Sequence, residues 1–193
     1  MRAKWVKDQA LFLQGDPADK MFLIKGGHIK LSKVLEDGSE LTLDIRKAGD
    51  FVGENMFSEE GEYPVSAYCL EDTFTCGFSR TQFEQLVLRH PKIGLQIIKN
   101  LGERITWLTT RVGNLAVTNV EDRLYRVLCS VAKEHGIVSP RGVVIQFPLT
   151  HEDLSFLTGA HRVSITRAMK ALRSAGKIIQ DDRKLILPLL EVA

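Results

Sequence analysis

The first 80 residues alternate between short apolar segments and tight-turn signals, and this pattern restricts them to a β-fold. Six segments carry it, namely ALFL, MFLI, HIKLSKV, LTLDI, VSAYCL and TFTCGF. Asp37-Gly38 separates two of these segments and is a strong hairpin signal. Many short strands at this spacing predict a β-sandwich or jelly roll.

A helical period replaces the strand pattern after residue 80. Apolar residues now recur at alternating intervals of three and four, which are the a and d positions of a heptad repeat. The stripe is narrower than the apolar face of a helix that packs on its own domain, which is the alternative. It therefore favours a parallel homodimer. The predicted interface residues are Ile98, Leu101, Ile105, Leu108, Val112 and Leu115.

Residues 119–193 have the pattern of three helices and a small hairpin. The first helix is predicted over residues 120–134, with Leu124 and Leu128 on its apolar face, and Gly136 ends it. A strand-like segment, VVIQFPL, follows this helix. The segments KIIQ and KLILPL near the end of the chain are separated by a turn and predict a β-wing.

A helix-turn-helix pattern lies between that strand-like segment and the wing. Thr150 is followed three residues later by Asp153, which resembles a capping box and starts a short helix over residues 151–157. Gly159 ends this helix, and Gly176 closes the next one as a C-cap. A short helix, a turn with glycine and a second helix form the DNA-binding motif.

The second helix of this motif has a polar outer face and an apolar inner face. Ile165 and Leu172 are predicted to point into the core. The N-terminal residues of such a helix meet base edges in the major groove, and arginine suits guanine because its fork matches O6 and N7. The predicted outer residues are Arg162, Val163, Thr166, Arg167 and Lys170.

Charge and cysteine content narrow the class of protein. The net charge is +2, with −1 on residues 1–118 and +3 on residues 119–193, so charge by itself does not prove nucleic-acid binding. The chain has neither a membrane-spanning apolar run nor a signal-peptide core, and we expect a cytoplasmic protein. Cys69, Cys76 and Cys129 form no zinc or disulfide pattern and are read as buried free thiols. A redox switch between Cys69 and Cys76, which lie in adjacent β-like segments, stays open.

The ordered motifs of the chain resemble the CRP/FNR family of bacterial transcription regulators over essentially the whole length. The matching pieces are FLQGDPADKMFLIKGGHIKLSKVLEDGSELTLDI, GDFVGE, RVGNLAVTNVEDRLYRVL and FPLTHEDLSFLTGAHRVSITRAMKAL. The resemblance implies an α+β fold with a cyclic-nucleotide-binding-type β-roll in residues 1–90. It further implies a dimerisation helix in 91–118 and a winged helix-turn-helix in 119–193.

The resemblance also implies a DNA sequence. Arg162 and Arg167 occupy the positions of the family's recognition-helix arginines. Val163 replaces the glutamate of the cAMP-responsive members and would favour a thymine methyl over cytosine. Arg-Val-Ser-Ile-Thr-Arg is similar to the Arg-Val-Thr-Val-Thr-Arg of cyanobacterial nitrogen-control regulators, which implies a GTA…TAC palindrome rather than TGTGA…TCACA. The remaining candidate DNA contacts are Ser164, His161 as a cap or phosphate ligand, and Thr150 as a phosphate contact.

The effector pocket of the cAMP-binding relatives is only partly matched. Gly53-Glu54 is present, but Val65-Ser66 stands where those relatives have Arg-Ser. Leu108-Thr109 stands where they have Thr-Ser. The cyclic phosphate therefore lacks its cationic partner, and cAMP binding is disfavoured.

Several alternatives for regulation remain open. Arg104 matches an arginine that nitrogen-control regulators use for 2-oxoglutarate, although a surface arginine beside the coiled coil is the favoured interpretation. A constitutive regulator controlled by its own abundance is a further option. The family resemblance implies that the loop Ile137–Gly142 contacts RNA polymerase, which implies activation, while repression at overlapping sites is equally compatible. A cupin-like enzyme is strongly disfavoured, because His28 is the only histidine in the β zone.

Overall fold

The computed structural model describes residues 2–115, 117–181 and 184–188, without the side chains of residues 107, 111, 114 and 115. The chain divides into two compact units, Met1–Thr106 and Trp107–Ala193. This division falls inside the helix that the sequence predicts as the dimerisation element.

Eight short strands build the first unit. They are β1 (Arg2–Trp5), β2 (Ala10–Phe12), β3 (Lys20–Gly26), β4 (Ile29–Val34), β5 (Glu40–Arg46), β6 (Phe51–Val52), β7 (Ser66–Cys69) and β8 (Thr73–Ser79). They pair in two four-stranded antiparallel sheets, ordered β1-β8-β3-β6 and β2-β7-β4-β5. All six predicted strands are confirmed, as is the β4–β5 hairpin at Gly38, whose φ is 81°.

The core of the first unit lies between the two sheets. Ile24 on β3 comes from one sheet, while Ile29 on β4 and Ala67 on β7 come from the other, and all three are fully buried. The rings of Phe12 and Tyr63 stack with centroids 3.8 Å apart. Each large apolar side chain buried in this way stabilises the fold by about 1.5–3 kcal/mol.

Two helices follow the roll. Helix α1 (Arg80–Arg89) starts with a capping box formed by Ser79 and Gln82. Helix α2 (Pro91–Leu115) begins with proline, whose missing N–H costs nothing at the first helical position. Among the helices of the described residues, none is long and apolar enough to cross a membrane.

The second unit contains three helices and a four-stranded sheet. Its elements are α3 (Val120–His135), β9 (Ile137–Ser139), β10 (Gly142–Ile145), α4 (His151–Thr158), α5 (Arg162–Ser174), β11 (Ile179–Asp181) and β12 (Lys184–Leu187). The sheet order is β11-β12-β10-β9, so the predicted wing hairpin is confirmed and belongs to a larger sheet than we expected. Part of the predicted wing turn, Asp182 and Arg183, lies outside the described residues.

Apolar side chains from all three helices of this unit meet in one core. Leu124 and Leu128 of α3, Leu154 of α4, and Ile165 and Leu172 of α5 are completely buried. The prediction that Ile165 and Leu172 point inward is therefore confirmed. Because these side chains fill the space between the helices, they fix which face of α5 remains exposed.

The three cysteines are free thiols as predicted, but only Cys69 is buried, whereas Cys76 and Cys129 are half-buried. Cys69 lies on β7 and Cys76 on β8, and these strands belong to different sheets. Cys69 is buried, and this burial raises the pKa of its thiol.

The native protein should therefore label unevenly with a thiol-reactive reagent at neutral pH. We expect Cys69 to stay unmodified in a short pulse, because a buried thiol with a raised pKa is almost never a thiolate. Cys76 and Cys129, which are half-buried, should react first. Peptide mass spectrometry measures the three sites, and a denatured sample that labels all three serves as the control. Equal labelling of Cys69 and Cys76 in the native protein would contradict the burial argument.

Candidate nucleic-acid interface and effector pocket

The first helix of the predicted motif, α4, is fixed at both ends. The Thr150 hydroxyl accepts a hydrogen bond from the Asp153 N–H at 3.0 Å, and the Asp153 carboxylate accepts one from the Thr150 N–H at 3.0 Å. This capping box confirms the prediction from the sequence. At the other end Gly159 has φ 64° and ψ 35°, a left-handed conformation that glycine adopts at little cost.

The turn between α4 and α5 is held by Ser155. Its hydroxyl donates to the Ala160 carbonyl at 2.6 Å, and its own carbonyl accepts from the Ala160 N–H at 3.0 Å. These two bonds fix the direction in which the chain leaves α4. The start of α5 is therefore set by local contacts that depend on a small polar residue at position 155.

Helix α5 exposes a cationic face. Val163 on this face is 64% exposed although it is apolar. Ser164, a candidate contact, is half-buried. The helix has no acidic residue, so its positive charges are not neutralised along its own length. The exposed candidate residues are Arg162, Val163, Thr166, Arg167 and Lys170.

His151 is a residue of this surface that the sequence analysis missed. Its Nδ1 lies 3.0 Å from the Thr166 hydroxyl, which in turn donates to the Arg162 carbonyl at 3.0 Å. The hydroxyl has a single hydrogen, which the Arg162 carbonyl or the His151 ring takes, and the direction of the His151 contact follows the tautomer of that ring. Thr166 consequently has no spare O–H donor for anything that approaches α5.

Two other candidates have defined local roles. His161 stands at the N-cap of α5 but makes no side-chain cap hydrogen bond. The Thr150 hydroxyl donates to the Asp153 carboxylate at 2.6 Å, so a phosphate would have to displace that bond to receive it. Phosphate contacts by His161 and Thr150 stay predictions.

The wing is held against its surroundings by two polar contacts. Arg141, in the turn between β9 and β10, pairs with Asp181 of β11 at 2.8 Å. Arg173 near the end of α5 donates to the Gln180 side chain at 2.8 Å. The second contact links the wing directly to α5.

In the first unit, the backbone requires glycine at position 53 whether or not a ligand binds. Its φ is 88°, and a Cβ at this position would lie 2.6 Å from the Lys20 carbonyl oxygen. Glycine at position 53 is therefore required by the close approach of the backbone to β3. Its presence is weak support for a nucleotide site.

The carboxylate of Glu54 is already engaged. It pairs with Arg46 at 3.1 Å, and Arg46 also pairs with Asp44 at 2.7 Å. Asp44 in turn forms an ion pair with Arg104 of α2. The Arg104 side chain is only 10% exposed, so the alternative of a surface arginine is wrong. We call Asp44, Arg46, Glu54 and Arg104 the ion network.

The segment that would face a cyclic phosphate is acidic. Residues 54–66 contain four glutamates and no lysine or arginine. Ser66 is buried, and its hydroxyl accepts a hydrogen bond from the Gln14 N–H at 3.0 Å. The segment itself therefore offers an anionic ligand no cationic side chain. Leu108 and Thr109, the other candidate pocket residues, belong to the second unit.

The predicted seam of α2 is exposed in the single chain. Its described side chains are between 43% and 68% exposed, which is high for apolar residues spaced along one helix. These residues are Ile98, Leu101, Ile105, Leu108 and Val112. The side chain of Leu115, the last predicted member, lies outside the described residues.

A β-roll, a long helix and a winged helix-turn-helix with a cationic recognition helix define a class, the DNA-binding transcription regulators with a sensor-type domain. Comparison with protein families agrees with this class. The cyclic nucleotide-binding domain family matches residues 2–90, and the Crp-like helix-turn-helix domain family matches residues 122–191. The chain belongs to the CRP/FNR family of bacterial transcription regulators. Members of this family are regulators rather than enzymes, which sets aside the cupin-like alternative.

Individual relatives align over most of both chains. The anaerobic regulatory protein of Bacillus subtilis (strain 168) is 29% identical over 188 residues, covering 96% of this chain and 79% of the relative. The global nitrogen regulator of Synechocystis sp. (strain ATCC 27184 / PCC 6803 / Kazusa) is 25% identical, covering 93% and 80%. The solved structure of the c-di-GMP responsive global regulator CLP of Xanthomonas campestris is similar with a TM-score of 0.81 and 25% identity. It covers 97% of this chain and 93% of that one.

Proposed function

We propose that the protein is a homodimeric regulator that reads a two-fold symmetric DNA site through α5 and acts without a cyclic nucleotide. The observation that carries this proposal is the exposed surface of α5, which presents Arg162, Val163 and Arg167 while the helix contains no acidic residue. Such a face suits base edges flanked by phosphates. We expect the protein to act in the cytoplasm, where its DNA is.

The exposed seam of α2 supports the dimer. Apolar side chains at a and d spacing gain their stabilisation when a second helix covers them. A two-fold dimer presents two copies of α5, and the half-sites of its DNA then lie about one helical turn apart. The DNA site should accordingly be a pseudo-palindrome.

The exposed valine of α5 supports a particular sequence. Val163 cannot accept a hydrogen bond from cytosine, but its methyl groups can contact the thymine methyl. Arg162 and Arg167 would each hold a guanine. We therefore propose a GTA…TAC palindrome, in line with the similarity to the cyanobacterial nitrogen regulators.

The ion network supports an effector-free, constitutive regulator over a sensor of 2-oxoglutarate. Arg104, the candidate ligand for a carboxylate effector, is already paired with Asp44 inside the protein. The four glutamates of residues 54–66 likewise disfavour cAMP. The proposed regulation is then through the abundance of the protein.

A contact with RNA polymerase is proposed for the β9–β10 hairpin, which contains the loop Ile137–Gly142. Ile137 and Val138 are both exposed on its outer strand, and Val138 is 74% exposed. Exposed apolar residues on an edge strand are suited to a protein partner. This contact would make the protein an activator.

Selection of bound sites from random DNA tests the proposed sequence. Wild-type protein should recover GTA…TAC palindromes. Val163→Glu should shift the preference towards TGTGA…TCACA by roughly 10- to 100-fold, because a carboxylate accepts from cytosine, an interaction that contributes about 1–3 kcal/mol. Val138→Glu changes an equally exposed valine away from α5 and should leave the preference unchanged. If wild-type protein prefers TGTGA at equal salt, the assignment of Val163 is wrong.

Charge in the middle of the α2 seam should separate the dimer. Ile105→Asp places a carboxylate between apolar side chains of both protomers, and we expect the dimer to weaken at least ~30-fold, since loss of a central contact costs about 2 kcal/mol. Leu88→Asp is the control, because Leu88 is 81% exposed on α1 and lies off the seam. Sedimentation equilibrium measures both variants. An unchanged dimer in Ile105→Asp would reject this interface.

Small effectors should leave DNA affinity unchanged. We expect millimolar 2-oxoglutarate or cAMP to act no differently from sodium chloride at matched ionic strength. Arg104 is already paired with Asp44, and the segment 54–66 is acidic and contains no lysine or arginine for a phosphate. Fluorescence anisotropy with the selected DNA site measures this. A saturable change with either compound, beyond that of the salt, would restore it as an effector.

A further inference from the structure

The ion network connects the β-roll to α2, and we propose that Asp44 is a built-in occupant of the effector pocket. Its carboxylate takes the place that a small carboxylate ligand would have between Arg46 and Arg104. This inference rests on the proposed function, because it names how the same pocket is regulated. The chain would supply its own ligand and hold α2 on the roll without an added one.

The two oxygens of Asp44 serve two different arginines. Oδ2 lies 2.7 Å from Arg46 Nε, and Oδ1 pairs with Arg104 Nη2. Oδ1 also accepts a hydrogen bond from the Ile45 N–H at 2.6 Å. The carboxylate thus bridges the end of β5 and α2, as a bound carboxylate would do between two guanidinium groups.

Burial makes this carboxylate necessary. The Asp44 side chain is 7% exposed, and those of Arg104 and Arg46 are 10% and 13% exposed. Two guanidinium groups withdrawn from water are tolerated only when opposite charge lies beside them. Glu54 is 37% exposed and pairs with Arg46, so it supplies the second negative charge from the outer side of the network.

Other contacts show that this part of α2 rests on the roll. Ile97 packs against the core of the first unit, and the Asn100 side chain donates to the Gly49 carbonyl at 3.4 Å. Arg104 stands directly before Ile105 of the seam. The network therefore holds the stretch of helix that carries the proposed dimer contacts. A substitution at Asp44 would change the position of this stretch.

Replacement of Asp44 by a smaller residue with an added carboxylate tests the inference. Asp44→Gly removes the side chain and leaves room for acetate. The carboxylate and methyl carbon of acetate correspond to the carboxylate and Cβ of the aspartate side chain. We expect a lower melting temperature and at least roughly tenfold weaker binding to the DNA site selected by wild-type protein, because two buried cations lose the carboxylate that they share. Acetate should restore most of both, whereas acetamide in sodium chloride of equal ionic strength should not.

Two further variants test whether the effects come from the missing carboxylate. The double variant Asp44→Gly/Arg104→Gln removes one guanidinium and should lose the response to acetate. Asp44→Asn keeps the shape without the charge and should bind DNA more weakly than wild type while its circular dichroism stays native; it serves as the test if Asp44→Gly does not fold. Equal effects of acetate and acetamide, an undiminished response in the double variant, or wild-type DNA affinity in Asp44→Asn would each overturn the proposal.

The wild-type protein separates this inference from the proposed function. If wild-type protein fails to bind any selected site, the proposed function is wrong. The melting temperature then still reports on the network, because rescue by acetate requires only the first unit. If wild-type protein binds DNA and the Asp44 variants bind equally well, only the role of Asp44 is wrong.

Discussion

The first unit depends on a carboxylate placed between two guanidinium groups that have little contact with water. The strands of the roll can form from their own apolar alternation, but α2 joins them through a charged side chain as well as apolar contacts. A buried arginine adds little net stability, since its desolvation offsets most of the attraction. Its pairing with Asp44 instead ties α2 to the roll at a defined point.

In the second unit, the two faces of α5 have different roles. One face is packed into the core by Ile165 and Leu172, and the other keeps its arginines in water. The capping box of α4 and the bonds of Ser155 make the position of this helix a local property. These local contacts set the position of the exposed face in the free protein, and a preorganised surface lowers the entropy cost of binding.

Local patterns were sufficient to predict most of the fold. Six strands, the hairpin at Gly38 and the caps of α4 follow from alternation, turn residues and cap spacing, all of which act over a few residues. The strands β1 and β6 were missed because RAKW and FV are too short or too polar to show a period. The family resemblance supplied the order of the domains.

Contacts between distant residues were beyond this reasoning. Arg104 could be singled out, but its partner Asp44 lies on a strand whose face toward α2 depends on the folded roll. His151 was likewise passed over, since its contact with Thr166 exists only once the turn at Gly159 brings α4 and α5 together. Gly53 was assigned to the effector pocket from the sequence, but in the structure glycine is required there because the backbone at Lys20 lies so close.

The hydrogen-bonded hydroxyl of Thr166 affects how many sites in a genome the protein can bind. In the proposed complex with DNA, this side chain has no spare O–H donor for a base, so the arginines would supply most of the donors that read the bases. Short half-sites with few strictly specified pairs occur often by chance. Occupancy of any one promoter then depends on copy number and on competition among many similar sites.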